Sequence, residues 1–304
     1  MIVRPRPHWL HLLFVRHGSI LTQILPQLLW ALGFSIVVTV LHGQVLAWKI
    51  PLTFVPFSLI GLTLAIFLGF RNSTSYSRWW EARVLWGTLL VECRAAMRHA
   101  LTLVDDGPAH APVLARRLSA LAHALRHQLR QSDATADLAR LLPPDEAARV
   151  KGARFPAAMA LQMCGEWLRD MRQQGRVAPP LVPVLDAPLA QLGTALGGCE
   201  RIAGTPIPFT YSVIIHRTIY SYCLLLPFGL VDSIGSMTPV VVAFIAYTFF
   251  ALEALGSEIE EPFGLAANDL ALDQLCWTLE TAVLESLGRH DGPAQPQPRN
   301  FVLT

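Results

Sequence analysis

Long uncharged segments alternate with charge-rich amphipathic segments along this chain. The first two uncharged runs cover residues 19–41 and 50–70. Each matches the roughly 20 residues that a helix needs to cross the hydrocarbon of a bilayer. Further apolar runs occupy residues 202–215, 218–231 and 237–252. The pattern predicts an all-α membrane protein with four transmembrane helices, arranged as two hairpins at residues 19–83 and 202–252.

Two stripes with four-residue spacing run along the second uncharged segment. The small stripe consists of Gly61, Ala65 and Gly69. The bulky stripe consists of Leu62, Ile66 and Phe70. Residues four apart lie on the same face of a helix, and a face of small residues lets neighbouring helix backbones approach closely. From spacing alone, the bulky stripe is more typical of packing in a bundle core than of a functional surface.

Basic residues flank the first predicted hairpin at both of its ends. The arginines before it are Arg4, Arg6 and Arg16, and those after it are Arg71, Arg78 and Arg83. Only Lys49 carries a formal charge between the two uncharged runs. Because cytoplasmic loops carry the excess of Lys and Arg, both ends of the hairpin are predicted to be cytoplasmic. Residues 1–18 then form a basic, interfacial arm on the cytoplasmic side of the inner membrane.

The segment between the hairpins has a different pattern. Leucine and alanine recur at helical spacing among charged residues over residues 84–201, which is typical of amphipathic helices. The predicted helices cover residues 84–104, 113–130, 155–174 and 189–202. Helix-breaking pairs separate them at residues 107–108, 143–144 and 179–180. This segment is predicted to form a cytosolic helical layer.

One pair of histidines in this layer has the spacing of metal ligands. His123 and His127 lie one helical turn apart, a spacing that two ligands could use. No third ligand is evident nearby in the sequence, and Arg126 lies between them. A solvated or core-edge helix face is therefore the favoured interpretation, and no metal site is predicted.

The second hairpin is less regular than the first. His216 and Arg217 interrupt it and are predicted to mark its inner end. Residues 253–291 then hold nine Asp and Glu residues against one Arg. Residues 292–304 are proline-rich and are predicted to form a loose end. Residues 253–304 are thus expected to be an acidic cytosolic segment and tail, which places both termini in the cytoplasm.

Composition agrees with a membrane protein that has a substantial water-facing part. Hydrophobic residues make up 53% of the chain and charged residues 15%, against roughly 25% charged in average soluble domains. The net charge of +2 is too small to indicate nucleic-acid binding. The five cysteines lack a CxxC pair and indicate reduced thiols. No GxSxG, Walker or dinucleotide-binding motif is present, so neither an enzyme nor a cofactor is predicted.

Three blocks of the sequence together resemble the bestrophin family of ion channels. The blocks are FLGFRNSTSYSRWWEAR at residues 67–83, GCERIAGTPIPFTYSVIIHRTIY at 198–220 and ALGSEIEEPFG at 254–264. Their order and spacing fit the family over nearly the whole chain, and the short C-terminal tail is similar to that of the bacterial members. The resemblance implies a homopentamer in the lipid bilayer, with one pore on the five-fold axis that conducts monovalent ions.

The resemblance also implies a different role for the bulky stripe. The matching stripe of the family lines the narrow neck of the pore, which assigns Leu62, Ile66 and Phe70 to three apolar rings. Such a neck can act as a hydrophobic gate, because it offers an ion no replacement for its hydration water. The small stripe then lets five helices pack around the axis.

Two cytosolic features implied by the resemblance depart from the family pattern here. A second constriction falls near Pro179, Pro180 and Leu181, where relatives usually carry an aliphatic side chain. The calcium clasp of the animal members needs consecutive acids after the PFG motif, whereas here only Asn268 and Asp269 could still coordinate. Two side chains do not make the roughly six to eight oxygen ligands of a calcium site. Calcium activation is therefore not expected.

Two functions of other classes stay open. A membrane-embedded carrier or enzyme would use His216 and Arg217 and would show saturable turnover. A non-conducting scaffold would bind a cytosolic protein through residues 84–201 and would leave a reconstituted membrane impermeable. The sign of the conducted ion is open as well, because animal relatives resemble chloride channels whereas some bacterial relatives favour monovalent cations such as sodium.

Overall fold

The chain is helical almost throughout. The computed structural model describes residues 1–4, 8–13, 15, 18–45, 48–49, 52 and 54–304, so Arg6 and Arg16 of the predicted arm lie outside the described residues. The helices are α1 (Trp9–Leu13), α2 (Leu21–Val40), α3 (Phe54–Thr102), α4 (Gly107–Arg130), α5 (Thr135–Leu141), α6 (Pro144–Lys151), α7 (Pro156–Gln173), α8 (Val182–Gly204), α9 (Phe209–Ile234), α10 (Thr238–Glu260) and α11 (Leu272–Ser286). Two-residue strands β1 (Gln44–Val45) and β2 (Trp48–Lys49) pair antiparallel between α2 and α3. The expected helical class is confirmed.

The chain divides into two compact units. The first, called the apolar unit, comprises Arg4–Arg78 and Pro206–Glu261. The second, called the polar unit, comprises Met1–Val3, Trp79–Thr205 and Pro262–Thr304. Helix α3 has 49 residues and contributes to both units. At 1.5 Å per residue it is about 73 Å long. This helix therefore continues well beyond Phe70, where the uncharged run ends.

Four long apolar helices make up the apolar unit. Among the described residues, the helical segments that are long and apolar enough to cross a membrane are Leu21–Val40, Val55–Thr102 and Phe209–Glu260. The last segment holds both α9 and α10, which a 3-10 turn at Gly235–Met237 separates. Gly235 has a φ of +53°, in a region that glycine adopts without the steric cost of a Cβ atom. The second predicted hairpin is thus a pair of helices joined at this turn.

Close contacts at two glycines shape the core of the apolar unit. A Cβ atom at Gly229 of α9 would lie 2.6 Å from the ring of Phe57. One at Gly61 of α3 would lie 2.9 Å from the hydroxyl of Tyr222 on α9. Because protein interiors are close-packed, a larger residue at either glycine would force Phe57 or Tyr222 to move. Leu68 of α3 is fully buried in this core.

Helix α4 is the centre of the polar unit and packs against α7, α8 and α11. Its side chains Leu118, Leu121 and Leu125 are almost completely buried. They follow the i, i+3, i+7 spacing of one helix face, as expected for an amphipathic helix in a globular layer. Leu192 of α8 and Leu279 of α11 belong to the same core. The predicted amphipathic helix at residues 113–130 is therefore confirmed, with its start extended to Gly107.

Helix α7 matches the predicted residues 155–174 to within one residue at each end, whereas other parts of the polar unit differ from the prediction. The sequence pattern does not predict α5 and α6, because segments of 7 and 8 residues are too short to display a helical period. Helix α8 begins before the predicted residue 189 and includes Pro183 and Pro188. Proline is tolerated in the first turn of a helix, and an interior proline removes one backbone hydrogen bond. The proline at 188 therefore does not end this helix.

The acidic C-terminal segment contains a core helix that the sequence pattern does not predict. Helix α11 buries Cys276, Leu279 and Val283 in the polar unit. Its acidic residue Glu280 is also buried. The segment is therefore not only a solvated tail, because its carboxylate groups have partners on neighbouring helices.

The last residues of the chain have little regular structure and are largely exposed, as a loose end would be, but they are tied to the rest of the chain at several points. The Nε1 of Trp277 donates to the carbonyl of Pro293 at 2.8 Å. The N–H of Leu303 donates to the carbonyl of Met1 at 2.8 Å, and the Leu303 side chain is buried. Prolines bring no N–H donor, but backbone groups after Pro298 still pair with the N-terminus and α11. Compositional bias does not reveal such pairing.

Candidate pore surface and its supports

The bulky stripe of α3 lies on the surface of the folded chain. Leu62 is 62% exposed, Ile66 51% and Phe70 65%. Leu64 and Leu68, on another face of the same helix, are 3% and 0% exposed. The core of the apolar unit therefore uses the face that carries Leu64 and Leu68. Within one chain, the bulky stripe is not the packing face of α3.

The small stripe divides between two environments. Gly61 contacts Tyr222 of the same chain, as described above, so its small size serves the fold of the apolar unit. Ala65 and Gly69 are exposed, and a Cβ atom at Gly69 would meet no other atom within 4 Å. Close backbone approach at Ala65 and Gly69 would therefore require a partner outside the described part of the chain. The sequence pattern does not distinguish the packed position from the exposed ones, because the contact with Tyr222 depends on the tertiary structure.

The exposed face of α3 becomes polar directly after the bulky stripe. Ser73 and Ser77 are exposed and lie on the face of the bulky stripe, seven residues after Ile66 and Phe70. The hydroxyl of Ser77 donates to the carbonyl of Ser73 at 2.9 Å, and that of Thr74 donates to the carbonyl of Phe70 at 3.0 Å. These hydroxyl groups are held by the helix itself. The surface therefore passes from three apolar positions to hydroxyl positions within one turn.

Glu260 joins the three sequence blocks that carry the family resemblance. Arg71, whose side chain is 3% exposed, has its Nη2 3.4 Å from Glu260 Oε2 and donates to Ser257 Oγ at 2.8 Å. The Nε of Arg78 donates to the carbonyl of Glu260 at 3.1 Å. The N–H of Ile207 lies 3.3 Å from Glu260 Oε1. These contacts connect α3, the start of α9 and the end of α10 at one end of the apolar unit.

Among the described residues, His216 and Arg217 contact few other polar groups. The Nδ1 of His216 lies 2.8 Å from Glu253 Oε1, and its ring lies 4.4 Å from that of Tyr220. Arg217 is exposed and forms no ion pair with the residues that the structure describes. A histidine paired with a carboxylate can move a proton, but the described part of the chain brings no serine or cysteine nucleophile into hydrogen-bond contact with this pair.

The two features that the sequence analysis predicts for a cytosolic part lie in the polar unit. Pro179, Pro180 and Leu181 form a single 3-10 turn before α8, and both prolines are exposed. The buried carboxylate of Asp269 accepts the N–H of Ala266 at 2.7 Å, and the carbonyl of Asn268 accepts the Nε1 of Trp79 at 3.0 Å. These contacts hold the loop between α10 and α11. In the described ranges, no three His, Cys, Asp or Glu residues cluster as metal ligands.

His123 lies in a buried charge network rather than on a solvated face. Its Nε2 is 3.0 Å from Glu280 Oε2, and its Nδ1 is 3.5 Å from Asp137 Oδ2. Arg140 also binds Glu280 through both of its terminal nitrogens. The core-edge interpretation of this histidine is confirmed. The two carboxylate partners come from α5 and α11, neither of which the sequence pattern predicts as a helix.

His127 and two arginines extend this network. The Nε2 of His127 lies 2.9 Å from Asp137 Oδ2, and the Nη2 of Arg126 donates to the same oxygen at 2.6 Å. Arg126 and Arg130 also bind Asp273 Oδ1, at 2.8 and 3.1 Å. The charged face of α4 is thus neutralised by acidic residues of α5 and α11. It fixes α11 onto α4 with ion pairs as well as apolar contacts.

The network shifts the pKa values of its members in opposite directions. Burial lowers the pKa of His123, but the neighbouring carboxylates of Asp137 and Glu280 more than offset it, so the pKa is raised above 6.5. Burial raises the pKa of Glu280, but hydrogen bonds from Arg140 and His123 outweigh it and lower that pKa to about 2. The charged form of each residue is therefore stabilised by the fold.

We expect the stabilising effect of His123 to depend on pH. A raised histidine pKa stabilises the fold fully below 6.5, and this contribution is lost as pH rises through the folded value. The lowered pKa of Glu280 stabilises the fold above 4.5, and that contribution is lost as pH falls towards about 2. The difference in thermal midpoint between the native protein and His123→Gln should be largest between these values, near pH 5.5. A difference that is constant from pH 5 to 9 would contradict this account.

Comparisons with known proteins cover the whole chain. A sequence model of the family described as Bacterial/Fungal Bestrophin protein matches residues 1–285. A voltage-dependent anion channel-forming protein of Ralstonia nicotianae is 46% identical over 100% of both chains, and the protein of that description named YneE from Escherichia coli is 42% identical over the same share. The crystal structure of a bacterial bestrophin homologue from Klebsiella pneumoniae is 41% identical, with a TM-score of 0.85 over 88% of this chain and 99% of that one. This chain therefore belongs to the bacterial and fungal bestrophin family.

Proposed function

We propose that this protein is a homopentameric channel for monovalent ions, with five copies of α3 around a central axis. The exposure of Leu62, Ile66 and Phe70 is the observation that carries the proposal. Three bulky apolar side chains on one face of a membrane helix are each more than half exposed in the single chain. In a ring of five copies, they form three successive apolar rings.

The other faces of α3 support a ring. Successive helix positions are about 100° apart, so when the bulky stripe faces the axis, Ala65 and Gly69 face sideways towards a neighbouring copy. A groove of about 470 Å³ lies on the opposite side of α3, where Ile60 and Phe67 contribute to its wall together with Ile214 of α9. Two different surfaces on the two sides of one subunit suit a head-to-tail contact, which closes into a ring when the rotation allows.

The proposed neck acts as a gate by dewetting. An apolar ring offers no oxygen or nitrogen ligands, so an ion can cross only with most of its hydration shell. When the ring is narrow, water leaves it and the barrier to ions rises. The hydroxyl positions that follow Phe70, at Ser73 and Ser77, provide a more hydrated surface on one side of this barrier.

The membrane placement follows from charge. We propose an inner-membrane protein whose polar unit and both termini lie in the cytoplasm, because Arg71 and Arg78 follow the second apolar run and Lys49 is the single charge in the opposite loop. In this arrangement the 3-10 turn at Pro179, Pro180 and Leu181 belongs to the cytosolic part, where it forms a second constriction. An exposed turn of two prolines is stiff, because each proline ring fixes the φ angle of its residue. The backbone therefore fixes the width of this proposed constriction.

Family membership points to a channel rather than to an enzyme. A purely apolar neck does not select for the sign of charge, so selectivity must come from residues outside it. The relatives from Ralstonia nicotianae and Escherichia coli are named for forming voltage-dependent anion channels, which supports anions as the conducted species. If the protein were a scaffold, a membrane reconstituted with it would stay impermeable to ions.

Reversal potentials across a planar bilayer test this proposal. In a tenfold gradient of potassium chloride, the purified protein should carry a current that reverses near the equilibrium potential of chloride. A reversal near the equilibrium potential of potassium would contradict the assignment to anions. The absence of any current from a correctly assembled oligomer would contradict the channel itself.

A further inference from the structure

A polar cleft opens in the apolar unit beside Arg71. It has a volume of about 320 Å³ and lies between α3, α9 and α10. Its walls combine basic, hydroxyl and apolar groups with one carboxylate, that of Glu253. The lining includes Arg71, Ser212, His216, Arg217 and Ser257. Phe209, which is 81% exposed, and Val213 form its apolar side.

Arg71 has hydrogen-bonding capacity that the described chain does not use. Its Nη2 is engaged by Ser257 and Glu260, but its Nε and Nη1 have no hydrogen-bond partner among the described residues. A buried guanidinium with unfilled donors costs free energy unless another group accepts them. The same side chain borders a second cleft of about 250 Å³ next to Pro208 and Tyr211. An acceptor could therefore reach Arg71 from either side after a small side-chain movement.

Two carboxylates beside this cleft already have partners. Glu253 pairs with His216 at 2.8 Å, and Glu260 lies 3.4 Å from Arg71. Arg217 is exposed, lines the cleft, and has no ion pair with a described residue. One cation thus remains without a carboxylate. Guanidinium groups present N–H donors in a fork that matches two oxygens of a phosphate group.

The two arginines lie at the ends of apolar runs. Arg71 is the first charge after the uncharged residues 50–70, and Arg217 directly precedes the uncharged residues 218–231. In a membrane protein, basic residues at such ends lie at the depth of lipid headgroups. We propose that this cleft binds the phosphate group of an anionic membrane lipid, with Arg71 and Arg217 as its donors and an acyl chain beside Phe209 and Val213. The exposed apolar wall favours a lipid over a free phosphate ion.

Calorimetric titration of the purified full-length protein in detergent tests the proposal. The probes are short-chain phosphatidylglycerol, short-chain phosphatidylcholine and inorganic phosphate. Phosphatidylglycerol should bind the native protein more tightly than phosphatidylcholine, and Arg217→Gln should weaken it by about tenfold or more, because a charged hydrogen bond is lost. Arg217→Lys keeps the charge but loses the forked pair of donors. Its affinity for phosphatidylglycerol should lie between those of the native protein and Arg217→Gln. Arg94→Gln, at an exposed arginine of the polar unit, is the matched control and should bind like the native protein.

Arg217 is the informative position because it is exposed and has no ion pair with a described residue, so its substitution should not unfold the protein. Arg71→Gln removes a buried charge and requires a thermal-unfolding check before its affinity is compared. Equal affinities of the native protein and Arg217→Gln for phosphatidylglycerol would overturn the proposal. Binding of inorganic phosphate with the same affinity and the same loss in Arg217→Gln would overturn the lipid as its ligand. Because no current is measured, either result is independent of the proposed channel function.

Discussion

Replacing Ile66 by alanine should increase the ion current of the reconstituted protein. Ile66 is the middle position of the bulky stripe and is 51% exposed in the single chain. In the proposed ring, five copies of the substitution widen one cross-section and weaken the dewetting barrier. We expect a several-fold rise in open probability or conductance, measured in single-channel recordings in planar bilayers.

Leu64→Ala is the matched control for this change. Leu64 lies on the same helix two residues earlier, but it is 3% exposed and belongs to the core of the apolar unit. Its truncation should cost about 2–5 kcal/mol of stability through the cavity that it leaves. It should not raise the current. A gain in current from Leu64→Ala but none from Ile66→Ala would place the pore on another face of α3.

Replacing Ala65 by leucine should prevent assembly of the pentamer. Ala65 is exposed in the single chain, and in the proposed ring it faces the neighbouring copy. A leucine there holds the helix backbones apart, whereas Ala65→Gly keeps the face small. The mass of the detergent-solubilised particle should fall from five copies to one or a few in Ala65→Leu and stay at five in Ala65→Gly. A native protein that is itself monomeric or dimeric would count heavily against the channel.

Gly61 provides a useful contrast, because it belongs to the same stripe but packs within the chain. A Cβ atom at Gly61 would lie 2.9 Å from the Tyr222 hydroxyl. Gly61→Ala should therefore lower the thermal stability of each subunit. Ala65→Leu should act on assembly at nearly unchanged subunit stability. If both changes affect only stability, the small stripe is an intrachain packing feature throughout.

The length and class of the helices could be predicted because they follow from local sequence. Uncharged runs of membrane length identify α2 and the first half of α3, and the leucine spacing of α4 identifies a buried face. The exposure of Ile66 could not be predicted in this way. A four-residue spacing tells which residues share a face but not what that face contacts, and here the core uses Leu64 instead.

The supports of the candidate site depend on contacts between residues far apart in the chain. Glu260 pairs with Arg71 and accepts a hydrogen bond from the N–H of Ile207, which belong to two other segments. In the polar unit, Glu280 pairs with His123 and Arg140. The local sequence around each of these acidic residues predicts a solvated charge, because the partners are distant in the chain. The C-terminal end is a similar case, because its partner is the N-terminus of the same chain.

Cysteine modification at position 66 tests the neck assignment most directly. The native cysteines are all buried, and burial raises the pKa of Cys164 and of Cys276 to about 12, so they react slowly with thiol reagents. Ile66→Cys adds a thiol on the proposed pore face, and Leu64→Cys adds one in the core. A charged thiol reagent should change the current through Ile66→Cys irreversibly and leave the native protein and Leu64→Cys unaffected. An assembled Ile66→Cys protein that is labelled, as judged by its mass, and yet conducts as before would contradict the neck.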